Sequence, residues 1–152
     1  MSLIGRFLPA RAKGEFSVSI KVLITDDEAG YRASLARVLS RRGFAVQSCG
    51  SGEETLAILA KEPCDVVVLD LRMPGMDGLA TLAEIRRHQP LLPVLLVSGM
   101  ADLSSITSAL TQGVTNFIAK PCAIDSLINA IEDAHEKHLL SEQAAHPPCP
   151  DL

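Results

Sequence analysis

The sequence predicts an α/β protein in which helices cover both faces of a five-stranded parallel sheet. Short, β-rich apolar runs alternate with longer stretches in which apolar residues recur every three or four positions. The connections between these segments are short. The chain has 152 residues, 47% of them hydrophobic, which is enough for one compact core. Together these features favour a single domain with a doubly wound sheet.

Five runs are candidate strands. Each is too short for a helix and is mostly apolar on both faces, as expected for a buried parallel sheet. In chain order they are 21–25, 45–49, 66–69, 94–97 and 116–118. Each run is followed by a helical pattern, and the apolar positions of the five patterns are 31, 35, 38 and 39; 56 and 59; 79, 82 and 85; 103, 106 and 110; and 124, 127, 128 and 131.

Residues that begin and end helices agree with this alternation. Ser51 and Glu54 have the spacing of a capping box at the start of the second helix. Gly43 and Gly113 stand where the first and fourth helices should end. We expect residues 1–19 to be a poorly ordered leader, 20–140 to be the folded domain and 141–152 to be a tail.

Charge, cysteines and hydropathy exclude several classes of protein. The net charge is −4 and no run of Lys or Arg forms a basic stripe, so we expect no direct contact with nucleic acid. The longest apolar stretch, 91–97, is too short to span a bilayer. The four cysteines lie far apart without CxxC pairs and are interpreted as reduced thiols. The sequence therefore predicts a soluble, cytoplasmic protein that does not contact a membrane.

Polar residues follow or end four of the predicted strands. Asp26 and Asp27 follow the first strand, Asp70 the third, Ser98 the fourth and Lys120 the fifth. Any one of them could be a turn former or a helix cap. All five, however, fall at one rim of a parallel sheet, where ligands bind in doubly wound folds. The set therefore indicates a functional site.

Three converging carboxylates repel one another, so this cluster implies a compensating cation. A few carboxylates suit Mg²⁺, whereas Zn²⁺ would require His and Cys ligands. Such an ion can bridge a carboxylate and a phosphoryl oxygen during phosphoryl transfer. Lys120 would then act as a point charge on the phosphoryl oxygens, and the Ser98 hydroxyl would act as a hydrogen-bond donor.

Four segments of the sequence resemble the CheY-like receiver domains of two-component response regulators. They are VLITDD at 22–27, VLDLRMPGMDG at 68–78, VSG at 97–99 and FIAKP at 117–121, and the resemblance extends from about Lys21 to Leu140. It implies a flavodoxin-like fold with strand order 2-1-3-4-5. It also implies that the peptide between Lys120 and Pro121 is cis.

The resemblance implies phosphoryl transfer from a histidine kinase or phosphotransfer protein to Asp70. It assigns Asp26, Asp27, Asp70 and the backbone carbonyl of Arg72 as Mg²⁺ ligands. Ser98 and Phe117 match the two residues with which the family switches a surface made of the fourth helix, fifth strand and fifth helix. That surface would control a downstream effector or a fused output domain. An alternative interpretation is that Phe117 is simply a core residue.

Other interpretations remain open. A phosphohydrolase with an aspartate nucleophile would place a second Asp where this chain has Arg72, so we expect a phosphoacceptor switch rather than an enzyme with an external substrate. A receiver used only for protein contacts would be expected to have lost a site residue. Residues 103–119 carry no charge, and their apolar positions either are buried or contact a partner. The long last helix leaves a homodimer open, and His135 and His138 lie on either a solvated face or a metal site.

Overall fold

The computed structural model describes residues 19–99 and 103–145, with side chains described as far as Glu142. In this part of the chain, strands and helices alternate. The strands are β1 (Lys21–Thr25), β2 (Ala45–Cys49), β3 (Val66–Asp70), β4 (Val94–Ser98) and β5 (Asn116–Ala119). The helices are α1 (Ala29–Arg41), α2 (Gly52–Lys61), α3 (Gly78–His88), α4 (Leu103–Thr111) and α5 (Ile124–Ala145).

The five strands form one parallel sheet in the order β2-β1-β3-β4-β5. This confirms the predicted doubly wound, flavodoxin-like fold. From β1 the chain first crosses outward to β2 and then returns to the other side of β1 as β3. In such sheets a crevice opens at the carboxyl ends of the strands beside this reversal. By this rule the crevice is expected between the ends of β1 and β3.

Hydrophobic clusters cover both faces of the sheet. Side chains of a strand point alternately to the two faces, so Leu23 and Val67 belong to one cluster whereas Val22 and Val66 belong to the other. Helices α2, α3 and α4 pack their buried residues on the first face. Helices α1 and α5 pack theirs on the second. The central strands β1, β3 and β4 are therefore rigid supports for the residues at their carboxyl ends.

The two edge strands are less buried than the sequence indicated. All residues of β3 and β4 are buried, but in β2 only Cys49 is, and in β5 no residue is fully buried. The prediction of five buried strands is therefore wrong for β2 and β5. An edge strand pairs on one side only, so its apolar residues are covered incompletely.

The predicted helix ends are confirmed. Ser51 caps α2 by accepting a hydrogen bond from the Glu54 amide (3.1 Å). The Glu54 carboxylate accepts from the Gly50 amide (2.9 Å), one residue before the position of a standard capping box. Gly43 and Gly113 follow α1 and α4 with φ of 98° and 84°, a conformation that favours glycine.

Helix α4 does not bury its whole apolar stripe. Leu103 and Leu110 are 78% and 63% exposed, and the residue that fills the core is Ala109. The alternative in which Leu103 and Leu110 are core residues is therefore wrong. Their side chains lie on a surface that carries no charge from 103 to 119.

Helix α5 continues past residue 140, the expected end of the folded domain, and reaches Ala145. Leu139 and Leu140 on this extension are 46% and 58% exposed. His138 Nε2 lies 3.2 Å from a Glu142 carboxylate oxygen one turn further along the helix. Within the described residues, one group of three or more His, Cys, Asp or Glu side chains could hold a metal ion, and it contains neither His135 nor His138.

Most of the expected leader (1–19) and residues 146–152 of the expected tail lie outside the described residues, so these boundaries stay predictions. Cys49, Cys64 and Cys122 are free thiols, and Cys149 lies outside the described residues. Across the described ranges, no helix combines the length and apolar character needed to cross a membrane.

Candidate functional site

The residues predicted to form a site lie together at the carboxyl edge of the sheet. Asp26 and Asp27 follow β1, Asp70 ends β3, Ser98 ends β4 and Lys120 follows β5. One carboxylate oxygen from each of the three aspartates lies within 4.8 Å of the other two. Because all five strands are parallel, the polar ends of four of them meet at the same edge.

Asp26 is held by local hydrogen bonds where β1 ends and α1 begins. Its amide donates to the Cys49 carbonyl of β2 (3.1 Å), which extends the ladder by one residue. Its Oδ1 accepts from the Glu28 amide (2.9 Å), and its carbonyl accepts from Arg32 Nη1 (2.6 Å). Asp26 is 3% exposed, whereas the next residue, Asp27, is exposed.

Asp70 is held by a tight return of the chain into α3. The Gly78 amide donates to the Leu71 carbonyl (2.9 Å), and Asp77 caps α3 by accepting from the Ala80 amide (2.9 Å). A Cβ atom at Gly78 would contact the backbone of Asp70 and Leu71. The first turn of α3 therefore packs directly against the chain at Asp70, which is 8% exposed.

Lys120 approaches two of the aspartates. Its Nζ donates to Asp26 Oδ2 at 2.8 Å and lies 3.8 Å from Asp70 Oδ1. Its amide donates to the Ser98 carbonyl (3.0 Å), which continues the pairing of β5 with β4. The peptide between Lys120 and Pro121 is cis, as the resemblance implied. The lysine is thus paired with Asp26 and close to Asp70.

The charges in the site alter two protonation equilibria. Burial and the nearby Asp26 carboxylate raise the pKa of Asp70 to about 6, against the opposing effect of Lys120. Burial alone would lower the pKa of Lys120, but its hydrogen bond to Asp26 and the charge of Asp70 outweigh it, so that pKa is raised. Asp70 therefore carries an unfavourable negative charge near neutral pH.

The donor set fits a hard divalent cation. Three carboxylates face one ammonium group, which leaves uncompensated negative charge at the site. Oxygen atoms are the ligands that Mg²⁺ and Ca²⁺ prefer. A bound cation would also stabilise the ionised form of Asp70, whose pKa is raised by burial and by the Asp26 carboxylate. These residues could therefore hold a metal ion.

The remaining predicted residues lie around this cluster. Ser98 is 2% exposed beside Asp70 on the neighbouring strand. Phe117 on β5 is partly buried and packs against the cluster formed with α2, α3 and α4. Arg72 is exposed and follows Leu71 in the loop after β3. The metal-ligand role of Arg72 and the switch roles of Ser98 and Phe117 stay predictions.

Two residues of α1 contact the site and were not predicted. The ring centroid of Tyr31 lies 4.4 Å from Lys120 Nζ, and Arg32 donates to the Asp26 carbonyl. The sequence marked Tyr31 only as an apolar position of a helix. The available signal was its position four residues after Asp27, in the first turn of the helix that follows β1.

Comparisons with known proteins identify the family of this chain. The family model described as "Response regulator receiver domain" matches residues 22–132. The DNA-binding transcriptional regulator NtrC of Salmonella typhimurium is 39% identical over 113 residues, which are 74% of this chain and 24% of that protein. The C4-dicarboxylate transport transcriptional regulatory protein DctD of Rhizobium meliloti is 39% identical over 124 residues, 82% of this chain and 27% of that protein.

This chain thus spans about a quarter of the length of these two curated relatives. Among solved structures, the receiver domain of NtrX from Brucella abortus is 35% identical. It superposes with a TM-score of 0.71 over 76% of this chain and 98% of that one. The fold, the cluster at the end of the sheet and the family match agree: the chain belongs to the response regulator receiver domain family of two-component systems.

Proposed function

We propose that this receiver domain accepts a phosphoryl group on Asp70 in a Mg²⁺-dependent reaction. The observation that carries the proposal is the grouping of Asp26, Asp27 and Asp70 with the Lys120 ammonium at one end of the sheet. Phosphoryl transfer requires a nucleophile, here Asp70, together with positive charge that stabilises the transferred group. The carboxylate cluster could bind a metal ion and the Lys120 ammonium would supply the remaining positive charge.

The donor is a phosphohistidine on a histidine kinase or phosphotransfer protein. A carboxylate oxygen of Asp70 attacks phosphorus, the bond from phosphorus to the imidazole nitrogen breaks, and a carboxyl-phosphate bond forms. The released imidazole takes up a proton. This step needs an ionised Asp70, and a pKa of about 6 leaves most of the carboxyl ionised near neutral pH.

Asp26, Asp27, Asp70 and the Arg72 carbonyl would hold the Mg²⁺ ion. When bound, the ion would supply positive charge to the oxygens of the transferred group. Lys120 Nζ, 3.8 Å from Asp70 Oδ1, would pair with a phosphoryl oxygen. The Ser98 hydroxyl, on the strand next to Asp70, would donate a further hydrogen bond.

Phosphorylation would change the surface formed by α4, β5 and α5. A phosphoryl group adds negative charge and acceptor oxygens at Asp70. Ser98 would move toward it and Phe117 on β5 would follow, which couples the site to α4. The exposed Leu103 and Leu110 make this surface suitable for a protein partner. The recipient is a downstream effector, a fused output domain or a second copy of this chain.

The proposed domain is a switch rather than an enzyme with an external substrate. It would catalyse its own phosphorylation and dephosphorylation, with no direct contact to nucleic acid, which its net charge of −4 supports. We place it in the cytoplasm, where its partner kinase domain would act. Three free thiols among the described residues agree with a reducing compartment.

Intact mass spectrometry after incubation with acetyl phosphate tests the proposal. With Mg²⁺, the wild-type protein should gain one phosphoryl group, and with a chelator it should gain none. Asp70→Asn should gain none in either condition. The matched control is Asp133→Asn on the exposed surface of α5, which should be labelled like the wild type.

Labelling that persists in Asp70→Asn would place the acceptor elsewhere. Labelling of the wild type that is independent of Mg²⁺ would contradict the metal-binding role of the cluster. If no adduct accumulates, beryllofluoride binding followed by NMR distinguishes rapid hydrolysis, in which binding persists, from an inert domain, in which it is absent.

A further inference from the structure

Lys120 has an aromatic neighbour that the proposed reaction does not use. Its Nζ lies 4.4 Å from the centroid of the Tyr31 ring, within the range of a cation–π interaction. The same nitrogen lies 2.8 Å from Asp26 Oδ2 and 3.8 Å from Asp70 Oδ1. The ammonium group is therefore confined between one ring and two carboxylates.

The geometry points to Tyr31 as a positioning residue that holds the Lys120 ammonium beside Asp70 for phosphoryl transfer. This inference rests on the proposed role of Lys120 at the phosphoryl group. Tyr31 would act through Lys120 and would not contact the phosphoryl group.

An aromatic ring suits this position for an electrostatic reason. The Lys120 side chain is 21% exposed, so its cation has lost much of its hydration. The negative face of a ring attracts a cation but carries no net charge. The ring therefore stabilises the ammonium without adding a fourth carboxylate to a site that already contains three. It also offers no strong acceptor that would compete with a phosphoryl oxygen.

The ring is attached to a packed helix, whereas the lysine carries its charge on a long side chain. Tyr31 lies in the first turns of α1 and packs against the hydrophobic cluster on the face covered by α1 and α5. Lys120 carries its charge on a flexible stem of four carbons, which by itself would adopt many rotamers. A fixed ring beside the ammonium restricts those rotamers. Less rearrangement is then needed when a phosphoryl oxygen arrives near Asp70.

The neighbouring Arg32 shows that α1 supports this side of the site at two points. Arg32 Nη1 donates to the Asp26 carbonyl (2.6 Å), which fixes the main chain of the carboxylate that Lys120 contacts. Tyr31 covers the ammonium that pairs with that carboxylate. Successive residues of one helix thus hold both partners of the Lys120–Asp26 pair.

Two substitutions at Tyr31 separate the ring from the hydroxyl. Tyr31→Leu removes the aromatic face and keeps an apolar side chain, whereas Tyr31→Phe keeps the face. With saturating Mg²⁺ and acetyl phosphate, Tyr31→Leu should lower the maximal phosphorylation rate by about 2- to 30-fold, the range of one cation–π interaction. The maximal phosphorylation rate of Tyr31→Phe should stay within about 2-fold of the wild-type rate, because the aromatic face is kept. Mg²⁺ affinity, measured by calorimetry, should change less than the phosphorylation rate, because the carboxylates themselves are untouched.

Phe44→Leu is the matched control for lost packing. Phe44 is buried in the same hydrophobic cluster as Tyr31, and it is an aromatic residue that no cation is seen to approach in the described part of the chain. It should lower stability without changing the phosphorylation rate. If Phe44→Leu slows the reaction as much as Tyr31→Leu, general loosening of the α1 face explains the effect and the inference is overturned.

NMR gives a direct readout of the contact. Ring currents should shift the Lys120 Hε protons upfield in the wild type and in Tyr31→Phe, and this shift should be lost in Tyr31→Leu. In a Lys120→Ala background, Tyr31→Leu should cause no further loss of rate, because the two residues act as one unit. An additional loss there would overturn the inference.

The outcomes distinguish this inference from the proposed function. If the wild type takes up no phosphoryl group and binds no beryllofluoride, the proposed function fails and the role of Tyr31 in transfer fails with it. If the wild type is labelled on Asp70 but Tyr31→Leu reacts at the wild-type rate, only the role of Tyr31 is overturned.

Discussion

Replacing Asp70 with Asn should stabilise the folded domain when no metal is bound. The buried carboxyl has a pKa of about 6, compared with 3.8 for the reference group. One pH unit corresponds to about 1.4 kcal/mol, so the ionised form costs up to about 3 kcal/mol in the folded state. Water at the rim of the sheet reduces this cost. We therefore expect Asp70→Asn to raise the free energy of unfolding by about 1 to 3 kcal/mol near neutral pH.

The sign of the pH dependence is set by the raised pKa. Above about pH 6 the folded protein must hold the Asp70 charge, so the penalty is fully present. As the pH falls toward 3.8, the folded protein binds a proton that the unfolded chain still lacks, and the penalty declines. The advantage of Asp70→Asn should accordingly be largest near pH 7 and small near pH 4.

Urea denaturation followed by circular dichroism, with a chelator present, measures this difference. Asp133→Asn on the exposed face of α5 controls for the loss of a surface charge and should change stability little. Added Mg²⁺ should narrow the gap, because it binds the folded wild-type cluster and so stabilises it. An Asp70→Asn variant that is less stable than the wild type, or whose advantage does not vary with pH, would refute the electrostatic reasoning.

Three further predictions concern packing in other parts of the fold and beside Asp70. Arg86 donates to the Gly113 carbonyl through Nε and Nη2 (3.1 and 2.7 Å) and to the Leu92 carbonyl through Nη1 (2.7 Å). Lysine has one terminal nitrogen and cannot make these three hydrogen bonds of the Arg86 guanidinium. In urea denaturation, Arg86→Lys should therefore lower the free energy of unfolding by about 1–3 kcal/mol, and an unchanged midpoint would mean that these bonds add no net stability. Gly78→Ala would place a Cβ against the backbone of Asp70. We expect the free energy of unfolding to fall by about 1–3 kcal/mol and acetyl phosphate to label the variant more slowly. Wild-type values in both assays would contradict that close approach. Leu110 is 63% exposed, so Leu110→Ser should change the free energy of unfolding by less than about 0.5 kcal/mol, and a clearly larger loss would show that it belongs to the core.

The sequence was sufficient to predict the sheet and the grouping of the aspartates. Both depend on periodicity and on the rule that parallel strands end at one edge. Asp26, Asp27 and Asp70 could be grouped without knowing any side-chain conformation, because strand ends alone bring them together. Their convergence within 4.8 Å confirms that expectation.

Features that depend on contacts across the fold were not predictable in the same way. Lys120 Nζ lies 2.8 Å from Asp26 Oδ2 and 3.8 Å from Asp70 Oδ1, so it pairs with Asp26. This difference in distance depends on the conformation of a flexible side chain, which the sequence does not specify. Tyr31 was marked only by its helical spacing, which identifies a face of α1 but not the residues that lie opposite it. Leu103 and Leu110 have the spacing of core residues, yet burial depends on how far α4 is covered by its neighbours.

The length of α5 has a mechanical consequence. Among its described side chains the last one buried in the core is that of Ala134, and the helix runs on to Ala145. At 1.5 Å per residue, the segment from Ala134 to Ala145 is about 16 Å long. A tilt of about 10° at Ala134 would displace the end of the helix at Ala145 by about 3 Å, given that rise per residue. A small rotation of α5 near Ala134 would therefore produce a displacement of about the size of an atom at the end of the helix.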